Sequence, residues 1–310
     1  MTEAESAADE LPPFRRLPFA EALVWLAENG EPADPRADID TASLERRFPR
    51  LVGVVTEDVE FAGPHGPIPA RAYRAPAAAA TGRGLVWVHG GAFIGGNLDM
   101  PESNWVAREL ASRGIPVLSV DYTKCLRDVH YPVPVDEIVA AWEHARAQSE
   151  SLLGVPAESL ALGGASAGGT LTAGATTDLV ASGAVLPSSL VLVYPALHPN
   201  GPAASTELDP SSPHAQIALN YAGSTEALLD PRAFAGVGTG GGFPPTLIVV
   251  CEADELRPSG EAFASTLEKA GVPVSLYTEA GAAHGHINNP GDEGALLTIA
   301  AIARWLTRSS

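Results

Sequence analysis

From Leu85 onward the chain alternates short, largely apolar runs with longer amphipathic ones, and few architectures accept that rhythm. Leu85-Val86-Trp87-Val88, Val117 to Val120, Ser159 to Gly163, Leu190 to Tyr194 and Thr246 to Cys251 each read as a strand buried on both faces. Between them, Pro101 to Arg113, Val135 to Gln148, Ala167 to Ala181 and Ser259 to Ala270 read as helices, with Gly114 and Gly271 as stops. Strands and helices taking turns imply an α/β fold with a mostly parallel sheet and helices on both faces. Val274 to Thr278 adds a short alternating strand, and Asp292 to Leu306 an apolar closing helix. Upstream, Val54 to Phe61 and Ile68 to Arg74 alternate like an antiparallel hairpin, joined through Gly63-Pro64-His65-Gly66-Pro67.

Chemistry gathers where these strands end. Gly164-Ala165-Ser166-Ala167-Gly168 joins a strand to a helix with G-x-S-x-G spacing, a turn that lifts one hydroxyl clear of the backbone. Ser166 is therefore a candidate nucleophile. His89-Gly90-Gly91-Ala92-Phe93 follows the first buried strand. Its glycines can present bare N–H groups to a developing oxyanion, so Gly90, Gly91 and Ala92 are candidate donors alongside the Ala167 amide. The Thr246 strand runs into Cys251-Glu252-Ala253-Asp254-Glu255, and the Val274 strand leads to Gly281-Ala282-Ala283-His284-Gly285-His286. Acid and base thus follow the serine in the order Ser166, Asp254, His284, as in α/β-hydrolases. Glu252 and Glu255 compete locally with Asp254, and His286 competes with His284.

Further stretches complete a likeness. Together with the motifs above, Val120-Asp121-Tyr122, Tyr194-Pro195, Phe243-Pro244-Pro245-Thr246 and Leu256-Arg257 make the chain resemble a bacterial esterase of the hormone-sensitive-lipase-like family, also called family IV or α/β-hydrolase fold-3. The likeness spans roughly residues 85 to 290. It implies an α/β-hydrolase fold with a helical cap and hydrolysis of short- to medium-chain carboxylic esters. It favours Asp254 and His284 over their neighbours. It also makes Phe93, Trp105, Tyr194 and Tyr221 pocket candidates, and suggests a homodimer formed through the Val274 strand.

The chain departs from the family at four places. Ala165 stands where an acid or threonine usually precedes the nucleophile. Thr123-Lys124-Cys125-Leu126-Arg127-Asp128 replaces a common Arg-Leu-Ala-Pro-Glu. Pro258 stands at an often acidic position, and His286 at an often aromatic one. None of these removes a member of the catalytic set.

Composition excludes several other classes. At 310 residues the size suits one α/β domain with a small cap: residues 1–50 supply N-terminal cap helices, and residues 51–310 the catalytic domain, with a cap insertion around 198–242. Within the first part, Phe19 to Asn29, stopped by Gly30, and Ile39 to Phe48 are helix candidates. A net charge of −18 argues against nucleic acid or an anionic membrane as partner. No stretch approaches the roughly 18 apolar residues of a membrane helix. The acidic Met1 to Glu10 lacks the pattern of a signal peptide, and two distant cysteines, Cys125 and Cys251, fit a reducing cytoplasm. Gly236-Val237-Gly238-Thr239-Gly240-Gly241 spells G-x-G-x-x-G but precedes a strand, the wrong context for a dinucleotide. His198, His214, His284 and His286 show no ligand-like spacing. The expectation is a serine esterase needing no metal and no cofactor, acting on a small-molecule ester. Lactone, amide or carbamate cleavage, a lyase reaction on the same scaffold, or a catalytically silent ligand-binding relative are the alternatives.

Overall fold

The computed structural model describes residues 17–30, 32 and 41–308. The acidic N-terminal stretch, and Ile39 and Asp40 at the start of the second predicted helix, lie outside the described residues.

Helices α1 (Phe19–Asn29) and α2 (Thr41–Arg47) come first, followed by the hairpin β1 (Val55–Gly63) and β2 (Gly66–Arg74). The alternating part then runs β3 (Gly84–Val88), α3 (Pro101–Ser112), β4 (Val117–Val120), α4 (Val133–Ala147), α5 (Ser149–Leu152), β5 (Leu160–Ala165), α6 (Ala167–Ser182) and β6 (Leu190–Val193). It ends with α7 (Pro213–Ala222), β7 (Thr246–Ala253), α8 (Arg257–Lys269), β8 (Val274–Ala283) and α9 (Glu293–Leu306). All eight strands form one sheet in the order β1-β2-β4-β3-β5-β6-β7-β8. The hairpin is antiparallel and joins β4 antiparallel, while every pair from β4 to β8 is parallel. This is the α/β-hydrolase architecture.

The apolar runs lack alternation because both faces of the sheet are covered. Leu85, Trp87, Val191, Val193, Leu247 and Val249 point to one face, where Trp105, Ile299 and Ile302 of α3 and α9 pack. Their neighbours Val86, Val88, Leu190, Leu192, Ile248 and Val250 point to the other, against Ile138, Leu171 and Phe263 of α4, α6 and α8. Each central strand therefore buries apolar area on both sides, at about 25 cal/mol per Å².

One predicted element is longer than its pattern. β8 extends five residues beyond Thr278 to Ala283, pairing with β7 across a register shift between Cys251 and Ala253. That extension carries the chain to the edge of the serine turn just before His284. The segment between β6 and β7 contributes α7 and short 3₁₀ turns above the same end of the sheet. Helix α1 is held by Arg127, whose Nη2 donates to the Ala27 carbonyl at 2.6 Å.

Candidate active site

Ser166 sits at the tip of the turn between β5 and α6 with φ 52° and ψ −121°. A non-glycine residue pays about 1–3 kcal/mol for such a conformation, so it persists only where the surroundings dictate it. Here Ser166 N–H donates to Val193 O at 2.9 Å, locking the turn to β6. The hydroxyl then projects into a cavity of about 760 Å³, walled by residues that include Leu26, Phe93, Ile217 and Leu256.

His284 Nε2 lies 2.8 Å from Ser166 Oγ, and His284 Nδ1 lies 2.8 Å from Asp254 Oδ2. With Nδ1–H donating to the carboxylate, Nε2 keeps its lone pair for the serine proton. Asp254 is itself aligned, because its Oδ1 accepts from Leu256 N–H at 2.9 Å. The local competitors are engaged elsewhere. Glu252 accepts from Gly281 N–H at 2.7 Å, and Glu255 stands 3.8 Å from His214 at the rim. His286 turns away from the serine, its Nδ1 3.3 Å from Cys251 Sγ and its Nε2 2.8 Å from Thr298 Oγ1.

The loop after β3 runs through three consecutive positive φ angles, 113° at Gly91, 53° at Ala92 and 64° at Phe93. Gly91 is required there, since a Cβ on it would stand 2.1 Å from Gly95 O. Among the described residues, no acceptor engages the amides of Gly91, Ala92 or Ala167. Ala167 is the first residue of α6, where N–H groups are free and the helix dipole favours negative charge. Gly90 departs from the expectation: its amide donates to Glu102 Oε1 at 2.5 Å and is not available to an oxyanion.

The Gly90 carbonyl is pinned as well. It accepts from His89 Nδ1 at 2.6 Å and from Tyr122 OH at 3.2 Å. Because the peptide is planar and trans, fixing this C=O fixes the Gly91 N–H in the opposite direction. His89 is steadied by Asp121 at 3.1 Å, which also binds Lys124 Nζ at 2.5 Å. Burial alone would raise the Asp121 carboxyl, but the His89 hydrogen bond and the Lys124 charge outweigh it and hold it at about 2. The divergent segment 123–128 is thus a brace: Lys124 holds Asp121, Cys125 N–H binds Phe93 O at 2.8 Å, and Arg127 holds α1.

Of the four aromatic pocket candidates, Phe93 lines the cavity and three do not. Trp105 lies on the core face of α3, its ring 6.0 Å from that of Phe48. Tyr221 stacks behind Phe93 with ring centroids 4.0 Å apart, supporting the wall without touching the space. Tyr194, at φ 38°, is turned beneath the base, its ring 4.7 Å from that of His284. Burial and the Glu102 carboxylate push its phenol well above the usual value, so it stays a donor. Sequence reasoning missed Glu102 and Asn288, and weighed His198 only as a metal ligand; all three stand beside the cavity. A glutamate in the first turn of a helix ordinarily reads as a solvated group favoured by the dipole, and no local pattern marks this one as buried.

Known proteins resemble the chain in sequence and in fold. Residues 85–288 match the α/β-hydrolase fold family. An ethyl acetate hydrolase of Pseudomonas putida is 30% identical over 255 residues, covering 77% of this chain and 79% of that protein. A carboxylesterase of Mycobacterium tuberculosis, NlhH, is 30% identical over 233 residues, covering 71% of this chain and 72% of the relative. Among solved structures, a hyperthermophilic esterase from the archaeon Pyrobaculum calidifontis superposes with a TM-score of 0.73 at 27% identity, covering 87% of this chain and 94% of its own. The chain belongs to the hormone-sensitive-lipase-like branch of the α/β-hydrolases, a family of carboxylic ester hydrolases.

Proposed function

We propose that the chain is a serine carboxylesterase that cuts short- to medium-chain esters through an acyl-enzyme. The observation that carries this reading is the unbroken relay from Ser166 Oγ through His284 to Asp254, 2.8 Å at each step, opening on an apolar-walled cavity. Ser166 attacks the ester carbonyl while His284 takes its proton. Asp254 holds the ring in the tautomer this needs and stabilises the imidazolium. The amides of Gly91 and Ala167, with Ala92 beside them, receive the charge that develops on the carbonyl oxygen, a contribution of about 10²–10³ in kcat per donor. His284 then returns its proton to the departing alcohol, and a water repeats the sequence to release the acid.

The cap follows from the same geometry. Leu26 of α1 and Ile217 and Ala218 of α7 line the cavity, so α1 and the segment around 198–242 serve as its cover. A volume of about 760 Å³ falls within the range of pockets that enclose small organic ligands. The test is Ser166→Ala assayed on p-nitrophenyl butyrate, with a loss in kcat of at least about 10⁴-fold expected. A variant that keeps the parent's turnover would sink the assignment.

A further inference from the structure

The Glu102 side chain is only 2% exposed, yet it is a carboxylate beside the serine turn, and the relay above does not use it. Its Oε1 accepts from Gly90 N–H, and its Oε2 from Tyr194 OH at 2.5 Å and Asn288 Nδ2 at 3.2 Å. These three donors belong to three different parts of the site: the loop after β3, the residue following β6, and the turn that follows His284. A Cβ placed on Gly90 would meet Glu102 Oε1 at 2.6 Å and Ser166 Cβ at 3.0 Å, so carboxylate and nucleophile flank one point of the loop.

An anion so close to an oxyanion site should oppose the reaction unless its charge is spent on donors. Here three donors converge on it. Removing them from an acceptor would leave buried N–H and O–H groups unpaired. The Glu102 carboxylate holds Gly90 N–H, while His89 and Tyr122 hold Gly90 O, so the peptides on both sides of Gly90 are fixed. That leaves the Gly91 amide one direction in which to point.

We infer that Glu102 is a positioning residue whose carboxylate ties the oxyanion loop to Tyr194 and to the turn following His284, so that donor and base keep one register. The inference rests on the ester-hydrolase reading. It acts through geometry: misplacing a reacting group by about 1 Å can lower the rate about 10²-fold.

The backbone of Glu102 has its own bonds, which substitution leaves in place. Its N–H donates to Asn288 Oδ1 at 3.1 Å, and its carbonyl accepts from Trp87 Nε1 at 2.9 Å. Glu102→Gln keeps the shape but turns a donor towards Asn288 or Tyr194. Tyr194→Phe keeps the ring against His284 and removes one donor.

Both variants and Ser166→Ala are assayed in the full chain on p-nitrophenyl butyrate, with thermal unfolding followed by circular dichroism. The expected result for Glu102→Gln is a kcat lowered about 10- to 100-fold with KM within about threefold of the parent. Tyr194→Phe lowers kcat about three- to tenfold, again without a matching change in KM. A folded Glu102→Gln with kcat unchanged or raised, or a loss carried by KM alone, overturns the inference. Should Glu102→Gln not fold, Tyr194→Phe decides by the same criterion. Glu102 variants with the parent's kcat beside a dead Ser166→Ala reject the inference alone, whereas an active Ser166→Ala rejects the ester-hydrolase reading and the inference with it.

Discussion

Gly168 packs so closely on Val88 that a Cβ on it would stand 2.1 Å from the Val88 carbonyl oxygen and 2.4 Å from that of His89. Helix α6 thus begins in backbone contact with the strand that carries the oxyanion loop. Ser166 and Gly91 keep their separation because nothing but hydrogen lies between these two backbones. Gly168→Ala must part them, and neither backbone can yield as a side-chain tip would. We expect a loss of stability of at least about 1–3 kcal/mol, the usual range for overpacking, together with a lower kcat. A Gly168→Ala protein with the parent's melting temperature and turnover contradicts this account.

Asp254 is nearly buried, its side chain 3% exposed, and both its oxygens are engaged, one by His284 Nδ1 and one by Leu256 N–H. Asp254→Asn keeps the volume but can offer an N–H where an acceptor is needed, which favours the His284 tautomer with its proton on the wrong nitrogen. The expected effect is a fall in kcat of about 10⁴-fold with a modest change in KM. Steady-state kinetics on the same p-nitrophenyl ester measure it. A fall of less than about tenfold would show that the carboxylate does not set the tautomer.

Much of this site is legible in the sequence because each reacting group belongs to a strand's end, and a strand's end is a local pattern. Ser166, His89-Gly90-Gly91 and Asp254 follow largely apolar runs buried on two faces, and His284 follows the alternating edge strand β8. Gly90 shows where local reading stops: its spacing suits an oxyanion donor, but Glu102 takes its amide. That partner came from a helix, and the Asn288 that completes the cluster lies 186 residues further on. The aromatics fail for a related reason. Whether Trp105 or Tyr194 faces a cavity depends on which face of α3 is covered, or on a single φ of 38°, and neither is written in residue type. β8 outgrew its alternating pattern because pairing with β7 continues past the register shift, a property of two strands together.

Charge along the cavity wall leads to a prediction about selectivity. Among its described residues the lining holds Glu102, Asp254 and Glu255 but no lysine or arginine. Among the described lining residues no fixed cation receives a carboxylate on the substrate, and the field of a chain with net charge −18 repels one. For butyrate esters of matched size, a neutral alcohol group should give kcat/KM at least about tenfold above one bearing a carboxylate, and the gap should narrow as salt is raised. Equal values for the two at low ionic strength would dismiss the idea.

Two buried histidines should weaken the fold as the pH falls. His286 is pinned between Cys251 and Thr298, and His198 lies 2.9 Å from Ser259 Oγ. Burial lowers both below the ordinary value of 6.5; around His286 it prevails although Glu279 and Asp292 pull the other way, and the nearby His284 reinforces it. In the unfolded chain each titrates near 6.5, whereas in the folded protein each resists the proton. Above that pH both states hold neutral rings and stability is fully present. Below it the unfolded state binds protons that the folded state refuses, so stability falls as pH falls. Asp121, held at about 2 in the folded protein against 3.8 ordinarily, loses its contribution only later, as pH drops from about 4 towards 2. The melting temperature should therefore decline from pH 7 to 5, before the contribution of Asp121 is lost. His286→Gln should lower it at pH 8 through the lost packing but flatten its slope between pH 7 and 5. Scanning calorimetry across that range decides the matter, and a melting temperature constant from pH 8 to 5 in the parent would rule the histidines out.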